Sequence, residues 1–241
     1  MHTHSGDDKI YIGKNAGKEL FGCIENAKKS VKVVSPYLSP NYIKTLVKLS
    51  EKGIKITLIT ADELEVNPQY CDFKHSDIIK QKVIPDSLYK HKRKTGIFIS
   101  FIFFFISLFG FVMSVFFIPF FYISIILIVI SIIMFVYFLS IKPNKYEYYS
   151  IFRLKIFDSS SGDKPWSKEL IHSKIFVIDE QVAFLGSLNF TYSGFKKHYE
   201  TLIRVGDKRA VEDISKEVEN LYASSFLSCK SIDELGKGVY G

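Results

Sequence analysis

Cysteine is scarce: the 241 residues hold three, Cys23, Cys71 and Cys229, widely spaced and with no CxxC pair. An odd number without paired spacing argues against a disulfide framework or a cysteine zinc site and leaves three reduced thiols as the expectation. Cys23 falls at helical spacing beside Leu20, Ile24 and Ala27, as a core residue does. No internal repeat is visible. The opening MHTHSGDDK is polar and lacks the apolar stretch of a signal peptide, and His2 and His4 read as part of a frayed end. The most informative absence is of charge. From Ile97 to Ile141, 45 residues pass without one Asp, Glu, Lys, Arg or His, so all 32 basic and 25 acidic side chains lie elsewhere. The hydrophobic fraction of 47% excludes a disordered chain, and the net charge of +7 leaves a polyanionic partner open.

As one helix, that run would reach about 68 Å, against a hydrocarbon core of about 30 Å. One span is too long and two fit. A turn around Phe117–Phe120, beside Pro119, leaves spans of 97–117 and 120–141 and spares either helix an interior proline. Lys90, Lys92, Arg93 and Lys94 precede the run; Lys142 and Lys145 follow it. Both flanks are basic, so the positive-inside tendency puts both on the cytoplasmic side, as a two-span hairpin also requires. The expectation is a multi-pass cell-membrane protein with two spans, both termini cytoplasmic and the bilayer as a partner. Thirteen of the 22 Phe lie in the run, which makes them lipid-facing bulk and not a base-stacking platform.

The charged remainder alternates short strands with helices. Lys9–Ile12, Val31–Ser35 and Ile54–Thr60 read as strands, with helices over Ala16–Lys29 and Asn41–Lys52 between them and a short helix near Ser76–Lys82. Beyond the hairpin, Tyr149–Phe157, Leu170–Ile178, Val182–Leu185 and His198–Val205 read as strands, Ser159–Trp166 as a polar loop, and Arg209–Phe226 as an amphipathic helix. This pattern predicts an α/β fold, a mixed β-sheet flanked by helices, interrupted by the hairpin. The organisation is then 1–89, first part of the domain; 90–145, basic flanks and hairpin; and 146–241, second part. Gly13–Lys18 (GKNAGK) imitates a phosphate loop, but it has three residues between the glycines and Glu19 after the lysine, so a strand-to-helix turn is expected.

The stretch from Ile171 to Glu200 carries His172, Lys174 and Asp179, then Gly186, Ser187 and Asn189: HxKx4D followed six residues later by GSxN. This spacing closely resembles the signature of the phospholipase D superfamily, and Glu200 stands where members carry a glutamate on a following strand. The opening half (IYIGKNAGKEL, VKVVSPYLSP, KGIKITLIT) also looks like this fold, so the resemblance spans nearly everything but the hairpin. On a strand His172 and Lys174 share a face. A neutral imidazole attacks phosphorus, while the adjacent ammonium neutralises phosphate oxygens. Asn189 can donate to another oxygen, Ser187 can add a hydroxyl contact, and Glu200 can accept from the far ring nitrogen. Asp179, at the turn, and Gly186 are expected to be structural. His198, two residues before Glu200, either lines the pocket or is solvated.

The resemblance implies a two-step displacement through a phosphohistidine, with no metal and no cofactor. That mechanism needs two histidines and the chain has one such motif, so a homodimer with a shared active site is expected. A membrane-anchored phosphodiesterase acting on phospholipid or a related lipid, its catalytic domain cytoplasmic, is the leading expectation. The alternatives are a metal-independent endonuclease acting on DNA or RNA and a catalytically silent scaffold.

Overall fold

The computed structural model describes residues 8–61, 75–158, 171–225 and 228–241. His2, His4, Cys71, Phe226 and the polar loop 159–166 lie outside the described residues, as does the start of the strand expected from Leu170. Two units emerge: Met1–Lys80 with Tyr148–Gly241, and Gln81–Glu147.

The first unit is built on strands with apolar residues on both faces, as strands covered on both sides must be. In chain order these are β1 (Lys9–Gly13), β2 (Ser30–Val34), β3 (Lys55–Ala61), then after the hairpin β6 (Arg153–Phe157), β7 (Ile175–Ile178), β8 (Val182–Gly186), β9 (Glu200–Val205) and β10 (Cys229–Lys230). They form one eight-stranded sheet in the order β1-β9-β8-β7-β2-β3-β6-β10. β2, β3 and β6 run parallel; β7 is antiparallel to β2, β8 to β7, β9 to β8 and β1 to β9. Helices α1 (Lys18–Glu25) and α2 (Pro40–Glu51) bury Leu20, Ile24, Ile43 and Leu46 with Val31, Val33, Leu58, Phe176 and Phe184. On the other face α6 (Lys208–Ala223) buries Val211 and Val218 with Val34, Ile59, Val177 and Ala183. The sheet is therefore the middle of three layers, the mixed α/β arrangement expected from sequence.

Some local expectations shift. Residues 76–82 are a 3₁₀ turn (His75–Asp77) followed by strand β4 (Ile79–Pro85), which pairs with β5 (Asn144–Ser150). That pairing joins segments about 65 residues apart, so the short window could not reveal it. The expected strand 149–157 is divided between β5 and β6, which belong to different sheets. A final helix, α7 (Ile232–Tyr240), was not anticipated, although Ser231 and Glu234 form a capping box at its start.

The second unit contains α3 (Ser87–Met113) and α4 (Pro119–Ser140), both long and apolar enough to cross a membrane. α3 begins ten residues before the uncharged run because Asp86 caps it, accepting from the N–H groups of Leu88 (3.1 Å) and Tyr89 (3.3 Å). The turn occupies residues 114–118, and Pro119 opens α4 instead of sitting inside the turn. The buried positions on these helices are Gly96, Ser100 and Ser107 on α3 and Ser124 and Ser131 on α4. Ser100 is 1% exposed, whereas Phe98 is 66% exposed. Ser131 donates to the Ser100 carbonyl at 2.8 Å, and a Cβ on Gly96 would lie 2.2 Å from the Phe138 ring. A helix pair in water buries its apolar stripe; this pair buries its small residues and exposes its phenylalanines, as helices packed in lipid do.

Asp179 fixes the entry of β2. Its carboxylate accepts from the N–H groups of Lys28 (2.9 Å), Lys29 (2.6 Å) and Ser30 (2.9 Å), and its own N–H donates to the Ser30 carbonyl at 2.8 Å. Burial raises its pKa, but those three donors and the Lys29 charge outweigh it, and the carboxyl is held below its ordinary 3.8. Asp179 and Glu180 also carry φ of +55° and +56° in the β7–β8 turn, a conformation aspartate tolerates better than most residues. Asp179→Ala is expected to cost about 2–3 kcal/mol, measured by chemical denaturation of the solubilised protein. Because the folded pKa is depressed, this stabilisation is complete above the unfolded pKa and fades as pH falls through the folded one. The wild-type advantage over the variant should therefore shrink only in acid, below about pH 4.

Candidate active site

Sheet polarity gathers the motif. β7 begins, β8 ends and β9 begins at the edge where parallel strands β2, β3 and β6 end. Open α/β sheets form their ligand crevices there, outside the carboxyl ends of the strands. His172 and Lys174 lie just before β7, outside any strand, where the Gly186 N–H donates to the Lys174 carbonyl at 3.3 Å. The expected strand thus starts later, at Ile175.

His172 is exposed and Lys174 is 5% exposed. The Lys174 Nζ lies 3.1 Å from the imidazole Nδ1 and donates to the His172 carbonyl at 2.7 Å. Burial pushes the Lys174 pKa down, and the nearby Glu200 carboxylate opposes that shift.

Glu200 opens β9 at 7% exposure. The Ser187 hydroxyl donates to it and accepts from the Thr201 N–H at 3.1 Å, while His198 Nδ1 stands 3.6 Å from its other oxygen. Among the described residues no hydrogen bond joins Glu200 to His172, so the geometry supplies no tautomer-fixing contact within one copy. The Ser187 hydroxyl, expected to touch phosphate, is committed to Glu200. His198 lies before the strand and is exposed. Gly186 permits the close approach of β8 to β9, since a Cβ there would stand 2.0 Å from the Thr201 carbonyl oxygen.

Asn189 is half-buried, and its Oδ1 is buried without a hydrogen-bond partner. Buried polar atoms are nearly always paired, so an orphan marks a place where a ligand or water belongs. The loop carrying Asn189 is held by residues that sequence reasoning missed. Ser35 Oγ accepts from the Phe190 N–H at 2.9 Å, the Ser39 N–H donates to the Phe190 carbonyl at 3.0 Å, and Ser39 Oγ accepts from the Tyr192 N–H at 2.9 Å. Ser35 and Ser39 sit in SPYLSP, more than 150 residues upstream, and their sequence signal is only that of a turn after a strand. Asp179, by contrast, has its carboxylate contacts at the start of β2, the opposite end of that strand.

The family model described as "Cardiolipin synthase, PLD-like domain" matches residues 142–222, which contain all the candidate side chains. No curated protein matches the chain. Among solved structures, NucT from Helicobacter pylori is similar at 13% identity over 92% of this chain and 96% of that one, with a TM-score of 0.49. A phospholipase D family member, Nuc from Salmonella typhimurium, is similar at 10% identity over 93% and 99%, with a TM-score of 0.44. Phosphatidylserine synthase from Haemophilus influenzae is similar at 11% identity over 92% of this chain but 40% of that one, with a TM-score of 0.44. Residues 142–222 thus match a PLD-like domain, and the motif they enclose resembles the signature of the phospholipase D superfamily.

Proposed function

We propose that the protein is a membrane-anchored phosphodiesterase that cleaves phospholipid or a related lipid phosphodiester through a phosphohistidine. The observation that carries the chemistry is an exposed imidazole bonded to a buried ammonium, His172 with Lys174, at the carboxyl edge of the sheet. An imidazole nitrogen attacks phosphorus, forming P–N as the bond to the leaving oxygen breaks. A second imidazole, His172 of a second copy across a two-fold axis, gives that oxygen a proton. The same second imidazole then takes a proton from water, whose oxygen displaces the attached histidine. Lys174 and the Asn189 amide neutralise the charge on the phosphoryl oxygens throughout. Glu200, held by Ser187, supplies the negative charge that stabilises imidazolium.

The distribution of charge favours lipid over nucleic acid. Gln81–Glu147 carries seven Lys and Arg against Asp86 and Glu147, so the rest of the chain holds 25 cations against 23 carboxylates. The +7 surplus belongs mainly to the hairpin flanks, and the unit with the candidate site is close to neutral. A nuclease draws its affinity from neutralising many phosphates, and this unit has few cations to spare.

Detergent-solubilised wild type and His172→Ala should be assayed with EDTA on anionic phospholipid vesicles and on single-stranded DNA. The wild type is expected to cleave the lipid, and the variant to lose at least about a thousandfold in kcat. Preferential cleavage of DNA, with a steep salt dependence, would make the nuclease the correct reading. Activity untouched by His172→Ala would make the protein a scaffold. In the pH profile, activity should fall as pH rises through the Lys174 pKa, an alkaline limb below the ordinary 10.5 of lysine. Lys174→Met should abolish activity and so leave no such limb to measure.

A further inference from the structure

We infer that the base of the hairpin binds the phosphate headgroup of an anionic phospholipid, with Arg93 as the direct ligand. This rests on the membrane part of the proposed function and is independent of its catalytic part.

The first observation is a local rule broken. Helix N-termini favour acidic side chains, because the helix dipole is positive there. α3 has no acid in its first turn and carries Lys90, Lys92, Arg93 and Lys94 within its first two turns. Dipole and side chains thus concentrate one sign of charge in one place, against the stability of the helix itself. Lys142 joins them two residues after α4 ends. Sequence features that oppose local stability tend to mark function.

The second observation concerns the neutralising acid. Asp86 accepts from the N–H groups of Leu88 and Tyr89 and pairs with Lys145 at 3.1 Å. The hydrogen bond from Lys145, then those backbone donors, hold its carboxyl below the ordinary range. Lys145 also lies 5.6 Å over the Tyr89 ring. Asp86 and Lys145 therefore neutralise each other, while Lys90, Lys92, Arg93, Lys94 and Lys142 make no ion pair with a described residue.

The third observation is Arg93 itself. It is half-buried, and its Nε is buried without a hydrogen-bond partner. It stands three residues before Gly96, where the Phe138 ring fills the space of a side chain, and so shares the face of α3 that approaches α4. A buried guanidinium nitrogen left unpaired is costly, and a planar fork flanked by Lys90 and Lys94 matches the oxygens of a phosphate. The exposed Tyr89 and Tyr146 supply the aromatic residues typical of a headgroup layer. A lipid fits better than a free anion because exposed Phe98 and Phe101, on the next turns of α3, offer a surface for acyl chains.

The test uses the full chain carrying His172→Ala and Lys174→Ala, so that the candidate active site contributes no phosphate contact. Native mass spectrometry in detergent should give phosphatidylglycerol an affinity at least tenfold above that of phosphatidylcholine. Arg93→Gln should weaken phosphatidylglycerol about fivefold, and Lys90→Gln with Lys94→Gln about fivefold for each cation removed. The exposed lysine pair keeps the test valid should Arg93→Gln disturb the helix pair. Equal affinity for the two lipids, or no loss in either variant, would overturn the inference. Inorganic phosphate displacing the lipid at equal concentration would overturn lipid as the ligand. Release of the chain from vesicles by alkaline carbonate would refute the membrane reading and this site with it. Inactivity of the wild type on lipid would leave this binding intact.

Discussion

Asp179 holds together two stretches of chain that the hairpin pushes far apart. Its carboxylate reaches Lys28, Lys29 and Ser30 across about 150 residues, and β2 and β7, adjacent in the sheet, meet from that point in antiparallel register. Loop closure across so long a separation carries an entropy cost that local propensity cannot offset. A carboxylate taking three backbone donors is among the stronger contacts available to a protein. With β2 and β7 in register, the first residue of β7 pairs with the last of β2, Val34 with Ile175, and His172 is delivered to the carboxyl edge. The motif aspartate thus acts from the opposite end of the strand that it positions. It organises the site without touching it.

The sheet, its flanking helices and the gathering of His172, Lys174, Asn189 and Glu200 at one edge were legible because each depends on periodicity or on spacing within thirty residues. Strand alternation exposes β2, β3, β7, β8 and β9 directly, and the turn at Asp179 returns the chain so that Glu200 follows. What escaped depends on partners far along the chain. β4 reads as a short helix until β5 arrives beside it. Ser35 and Ser39 look like turn residues until the Asn189 loop lands on them. The Ser187 hydroxyl reads as a substrate contact until Glu200 takes it. In each case the local signal is incomplete without a partner that lies far along the chain.

The hairpin inverts the rule that orders the rest of the chain. In the sheet unit the core is Leu, Ile, Val and Phe, and most lysines, Lys174 apart, lie outside it. Along α3 and α4 the buried set is glycine and serine, and the exposed set is phenylalanine and isoleucine. One principle accounts for both patterns if each surface matches its solvent, water around the sheet and lipid around the helix pair. Water rewards hiding apolar area, whereas lipid offers no such drive and leaves close backbone approach and interhelical hydrogen bonds, such as Ser131 to the Ser100 carbonyl, to hold the pair. The hydrophobic run alone gives length; the burial of its few polar residues adds a packing pattern that suits lipid.

That inversion also changes how the net charge should be read. A surplus of +7 spread over a globular surface would advertise a polyanion-binding protein, and the composition alone cannot distinguish that from a surplus gathered on short flanks. Once the cations of the hairpin base are set aside, the unit that holds His172 has little field with which to attract a long polyanion. A phosphodiester must then reach the imidazole by another route. The proposed function supplies one in confinement to a surface, because a substrate sharing a bilayer with the hairpin would be held at high effective concentration. Under the proposed function, a nearly neutral sheet unit and a strongly basic hairpin unit would divide the work, with attraction assigned to the hairpin and chemistry to the sheet.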